Sequence, residues 1–134
     1  MSLLNQKTIN KKITISGIGL HSGKNVNLKI LPSKENNGIV FLRSDLSKDN
    51  VVIPHFNNVS DTMLCTTIQN SSGVKVSTIE HLMAAFYGLG IDNALVELDA
   101  QEVPILDGSA KEWIEILLKS GISTSNAPIK IIKI

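Results

Sequence analysis

The sequence predicts an α+β fold, a two-layer sandwich of a mainly antiparallel sheet packed by two helices, with a small hairpin insert. Three observations carry this reading. Strand signals dominate the first half of the chain. Two helix-period patterns follow late, separated by a further strand signal. The 134 residues, 43% of them hydrophobic, suit one domain with a core that needs no disulfide.

Thr8 to Ile18 mixes Ile and Thr in near alternation and ends at Gly17 and Gly19. Asn25 to Leu31 alternates cleanly, with Val26, Leu28 and Ile30 on one face. Pro32 to Gly38 is a turn region, followed by short strands at Ile39 to Leu42 and Val51 to Ile53. Met63 to Ile68 and Val74 to Val76 flank Asn70-Ser71-Ser72-Gly73 and read as a hairpin. Ile79, Leu82, Met83, Phe86 and Leu89 then follow helical spacing, with Ser77 as N-cap and Gly88 or Gly90 as the stop. Ala94 to Leu98 and Val103 to Leu106 read as strands. Ser109 caps a second helix carrying Trp113, Ile114, Leu117 and Leu118, which Gly121 ends. Ile129 to Ile134 is a β-like Ile/Lys segment. Two amphipathic helices are expected to cover one face of the sheet.

Charge excludes some functions. Lys plus Arg is 13 and Asp plus Glu is 12, so there is no electrostatic case for nucleic acid or an anionic membrane surface. Cys65 is the single cysteine, which excludes an internal disulfide and a multi-cysteine metal site. The first dozen residues lack the apolar core of a secretory signal, and no apolar run approaches a membrane span of about 20 residues. A cytoplasmic setting with no transmembrane segment is expected.

Three segments carry groups capable of chemistry. The first is Glu80-His81. Ser77-x-x-Glu80 fits a capping box, with Glu80 reaching back to the N-cap amide. The alternative makes His81 a metal ligand and Glu80 a base acting on water. Spacing leaves both open. His-x-x-Glu-His would need His where Ser77 stands, and His21, His55 and His81 are far apart in sequence. The second is Gly17-Ile-Gly-Leu-His-Ser-Gly-Lys24. It fails the phosphate-loop and dinucleotide patterns and reads as a turn needing positive φ, yet His21 and Lys24 on it could bind an anion. The third is Asp61-Thr-Met-Leu-Cys-Thr66, where Met63 and Leu64 are core or the wall of an apolar groove, and Cys65 is a small hydrophobe.

These segments, with Ser77-Thr-Ile-Glu-His-Leu82, Gly88-Leu-Gly-Ile-Asp-Asn93 and Pro104-Ile-Leu-Asp-Gly-Ser-Ala110, occur in an order that resembles one family. The chain is similar to the N-terminal half of UDP-3-O-acyl-N-acetylglucosamine deacetylases, the zinc amidases of bacterial lipid A synthesis. The resemblance implies an enzyme of two similar domains with the active site between them, each domain a sheet packed by two helices. It implies Zn2+ as cofactor, His81 as one zinc ligand and Glu80 as general base. It implies that Met63, Leu64, Cys65, His21 and Lys24 face UDP-3-O-acyl-N-acetylglucosamine. A further His and an Asp on zinc, and a His acting as general acid, belong to the family's second domain. Residues 1–127 are then an N-terminal deacetylase domain, and 128–134 the start of a connection to a second domain. The isolated chain is expected to be inactive. Two other classes stay open: a non-catalytic module binding a nucleotide-sugar or acyl group, and a structural partner domain completing another chain's cleft.

Overall fold

The computed structural model describes residues 5 to 129. Ten strands and two helices follow one another as β1 (Asn5–Ile9), β2 (Ile13–Ile18), β3 (Asn25–Pro32), β4 (Ile39–Arg43), β5 (Val51–Val52), β6 (Val59–Asp61), β7 (Thr67–Gln69), β8 (Lys75–Ser77), α1 (Glu80–Leu89), β9 (Ala94–Leu98), α2 (Ala110–Ser120) and β10 (Ile122–Pro128). A 3-10 turn at Phe56–Asn58 precedes β6. Five strands form the main sheet in the order β2-β3-β9-β4-β5, antiparallel except where β4 runs parallel to β9. The α+β sandwich is as the sequence predicts. Alternation in β3 places Val26, Leu28 and Ile30 inward, against Val96 and Leu98 of β9 and Phe41 of β4. Leu82 and Phe86 of α1 and Trp113 and Leu117 of α2 close the same core. Each such side chain contributes roughly 1.5–3 kcal/mol when fully buried.

Where local chemistry suffices, elements end where expected. Ser109 accepts a hydrogen bond from the Lys111 amide at 3.2 Å and caps α2, and Gly121 closes it. Gly90, at φ 69°, ends α1, and the next amide, Ile91 N–H, reaches back to the Phe86 carbonyl at 2.9 Å. The turn at Asn70–Gly73 joins β7 to β8.

Other expectations are corrected. Thr8 to Ile18 is two strands. The chain breaks at the exposed triplet Asn10-Lys11-Lys12, where Ser120 Oγ donates to the Lys11 carbonyl at 2.8 Å and Asn10 N–H bonds Gly121 O at 2.8 Å. β1 therefore leaves the main sheet and pairs with β10. β10 passes through Ser-Thr-Ser-Asn-Ala, which has no apolar alternation, and it owes its form to β1. Met63 to Thr66 are not strand. The Met63 amide bonds the Asp61 carboxylate at 2.9 Å, a local turn that holds the backbone off the ladder. Val103 to Leu106 makes no strand either, because Pro104 offers no N–H and Leu106 turns at φ 51°. Of the Ile129 to Ile134 segment, residues 130–134 lie outside the described residues.

Candidate functional site

Ser77 is not the N-cap of α1. It ends β8, and its hydroxyl is held by Thr67 at 3.1 Å and Gln101 at 3.2 Å. Ile79 occupies the cap position with no side-chain bond. Between them Thr78 sits at φ 61°, strained backbone for a β-branched residue. This kink is overdetermined: Thr78 N–H and Ile79 N–H both reach the Thr66 carbonyl, at 2.9 and 3.4 Å. Glu80, freed from capping, accepts the Thr66 amide at 3.3 Å. The capping-box reading of Glu80 is thus overturned. Its carboxylate braces the Met63–Thr66 loop, with His81 half-buried next to it in sequence.

The glycine-rich loop folds on itself through Gly19 N–H to Lys24 O at 3.0 Å and Gly23 N–H to Gly19 O at 2.9 Å. Gly23, at φ 67°, meets the positive-φ requirement the sequence raised. This leaves His21, Ser22 and Lys24 exposed on one rim of a cavity of about 620 Å³. Leu64, Cys65 and Arg43 also line it. Four expected substrate-facing residues, His21, Lys24, Leu64 and Cys65, are therefore gathered around one space. Met63, Glu80 and His81 are not part of its lining. Met63 is 90% exposed and Leu64 80%, so neither is core. Cys65 Sγ lies 3.7 Å from the Thr67 hydroxyl. His55 acts locally, its Nδ1 accepting the Asn57 amide at 3.2 Å.

Two residues that sequence reading passed over organise this region. Glu102 is 4% exposed and accepts from the His21 and Ser22 amides and from Thr78 Oγ1 at 2.6 Å. Burial pushes its carboxyl up, but the bonds from Thr78, Ser22 and His21 outweigh that and hold it below its ordinary value. Arg43 on β4 donates two bonds to Asp45, at 2.6 and 3.0 Å, and one to the Lys75 carbonyl at 3.0 Å. The Arg43 hydrogen bonds lower the Asp45 carboxyl in turn. No local pattern announces either residue. Glu102 is a lone acid two residues before a proline, and its partners lie 80 or 81 residues away in the loop and 24 away at Thr78.

Residues 6–134 match the LpxC family, described as UDP-3-O-acyl N-acetylglycosamine deacetylase. The chain belongs to this deacetylase family. It is 47% identical over 132 residues to the UDP-3-O-acyl-N-acetylglucosamine deacetylase of Haemophilus influenzae strain PittEE. It is 46% identical to that of Pasteurella multocida strain Pm70 and 45% to that of Actinobacillus succinogenes. In each case 98% of this chain is aligned, and it spans 43% of the length of the relative. Among the described residues, no helix is long and apolar enough to cross a membrane.

Most of the deacetylase-like segments converge in space. The 77–82 segment bonds the 61–66 segment through Thr66, and the 17–23 segment bonds the 104–110 segment through Ile105 N–H to Ile18 O at 3.0 Å. The 88–93 segment serves the fold. Gly90 caps α1, Asp92 accepts the Lys7 amide at 2.8 Å, and Asn93 accepts the Gly38 amide at 2.8 Å. Among the described residues no three His, Cys, Asp or Glu side chains gather to hold an ion. A catalytic zinc takes three protein ligands and an open position. Among the described residues, no complete set of that kind is present.

Proposed function

We propose that this chain is the N-terminal half of a zinc-dependent deacetylase. The reaction is hydrolysis of the acetamide of UDP-3-O-acyl-N-acetylglucosamine to a free amine and acetate, in lipid A biosynthesis. The observation that carries the reading is the match over residues 6–134 to a deacetylase family, together with Glu80-His81 at the head of α1. A second domain following 1–127 supplies the rest of the site, a reading supported by relatives more than twice as long as this chain. A cytoplasmic setting belongs to the same proposal, supported by the free thiol of Cys65.

Zinc, when bound, polarises the amide carbonyl and acidifies water. His81 contributes one imidazole to it. Glu80 is the general base. Its Oε1 is steadied by the Thr66 amide, and the carboxylate takes a proton from the attacking water. His21 and Lys24, on their exposed loop, bind an anionic part of the substrate. Met63, Leu64 and Cys65 meet its apolar part.

The test uses a protein carrying this chain and its second domain. It is expected to release acetate from the nucleotide-linked substrate, to lose that activity to a chelator and to regain it with zinc. The 134-residue chain alone is expected to release none and to lose zinc on dialysis. Chelator-insensitive release, or stoichiometric zinc retained by the short chain with turnover, overturns the reading.

A further inference from the structure

Glu102 is a buried carboxylate and, among the described residues, no basic side chain is one of its hydrogen-bond partners. An ionised carboxylate removed from water needs donors to replace its hydration. Here the donors come from two separate parts of the molecule. His21 N–H bonds both oxygens, at 3.0 and 3.1 Å, and Ser22 N–H bonds Oε1 at 2.9 Å. Two successive amides turned inward on one oxygen form an anion-binding nest, and the anion is the protein's own. Gly19 makes room for it: a Cβ there would collide with Glu102 Oε1 and with Ser22 Oγ. On the other side Oε2 takes the Thr78 hydroxyl at 2.6 Å. Thr78 is the strained residue two positions before Glu80, and its own amide fixes the Thr66 carbonyl.

We propose that Glu102 is a positioning residue that sets the His21–Lys24 loop against the turn leading into Glu80. One carboxylate ties the loop assigned to substrate binding to the backbone that aims the general base. The inference rests on the deacetylase reading. The two links are separable chemically. Glu102→Gln keeps one oxygen for the His21 and Ser22 amides, removes the charge, and exchanges the strong hydroxyl-to-carboxylate bond at Thr78 for a weaker one in which the new NH2 donates to Oγ1. Thr78→Val removes the hydroxyl alone, and Thr78→Ser keeps it.

The test pairs kinetics of the complete deacetylase with amide hydrogen exchange on the 134-residue chain. Glu102→Gln and Thr78→Val are each expected to lower kcat roughly 10- to 100-fold, a loss typical of misplaced groups, with KM little changed. The double variant is expected to lose little more than the Thr78→Val variant, because both act on the same link. Thr78→Ser is expected to retain activity. Losses that multiply in the double variant, kcat within about twofold of wild type in either single variant, or equal damage from Thr78→Ser overturn the proposal. In the short chain, Glu102→Ala is expected to speed exchange of the His21 and Ser22 amides selectively while amides of β3 stay protected. Unchanged exchange at both amides sinks the clamp itself. Absence of acetate release by the unmodified complete protein, with the exchange result intact, instead sinks the deacetylase reading.

Discussion

The Glu80 carboxylate accepts the Thr66 amide at 3.3 Å, so a side chain at the first position of α1 is bound to the loop that carries Cys65. Capping and catalysis compete for the same carboxylate in the sequence, and the fold removes the first option. The three residues before α1 are spent on a strand end and a kink, which leaves Ser77 out of reach of the helix amides.

In the complete enzyme, Glu80→Gln is expected to cut turnover by about 10²- to 10⁴-fold, the usual worth of a general acid or base. Zinc content should stay close to wild type, because the side chain is assigned proton transfer and not coordination. Glutamine still accepts the Thr66 amide, so the loop keeps its brace. Steady-state rates measured beside metal analysis decide it. Near-normal turnover leaves Glu80 with the bracing role alone.

Acid should weaken the fold partly through Glu102. Its folded-state pKa lies below the ordinary 4.5, so the native chain holds fewer protons than the unfolded one. That contribution is present above pH 4.5 and is lost as pH falls through the folded value. Asp45, lowered by Arg43 from its ordinary 3.8, adds a loss at still lower pH. The urea midpoint is expected to decline below pH 4.5, and Glu102→Gln to make that decline shallower. Parallel declines in both proteins would take Glu102 out of the acid response.

Two adjacent leucines on α2 should behave oppositely. Leu117 is 0% exposed and Leu118 is 54% exposed, because a helix turns neighbouring residues to different sides. Leu117→Ala is expected to cost about 2–5 kcal/mol, the range for truncating a leucine in a packed core. Leu118→Ala in the same 134-residue chain should stay within about 0.5 kcal/mol. Urea unfolding of both variants checks the pair, and similar losses would mean that α2 is rotated about its axis.

The sequence by itself determined the α+β class, the alternation that buries Val26, Leu28 and Ile30, the hairpin turn at Asn70–Gly73, and both ends of α2. It also determined the family, through short segments whose order survives even though three of them predict a wrong local element. These features rest on neighbours within a few residues, where period and capping chemistry act directly. Only the tertiary structure decided the break at Asn10, the pairing of β1 with β10, the release of Glu80 from capping and the place of Glu102. Each depends on a partner remote in sequence: Ser120 is 109 residues from Lys11, and His21 is 81 from Glu102. A hydrogen bond of that span leaves no periodic trace. One end of each is a backbone group, the Lys11 carbonyl or the His21 amide, of a kind nearly every residue carries, and only folding selects which one arrives.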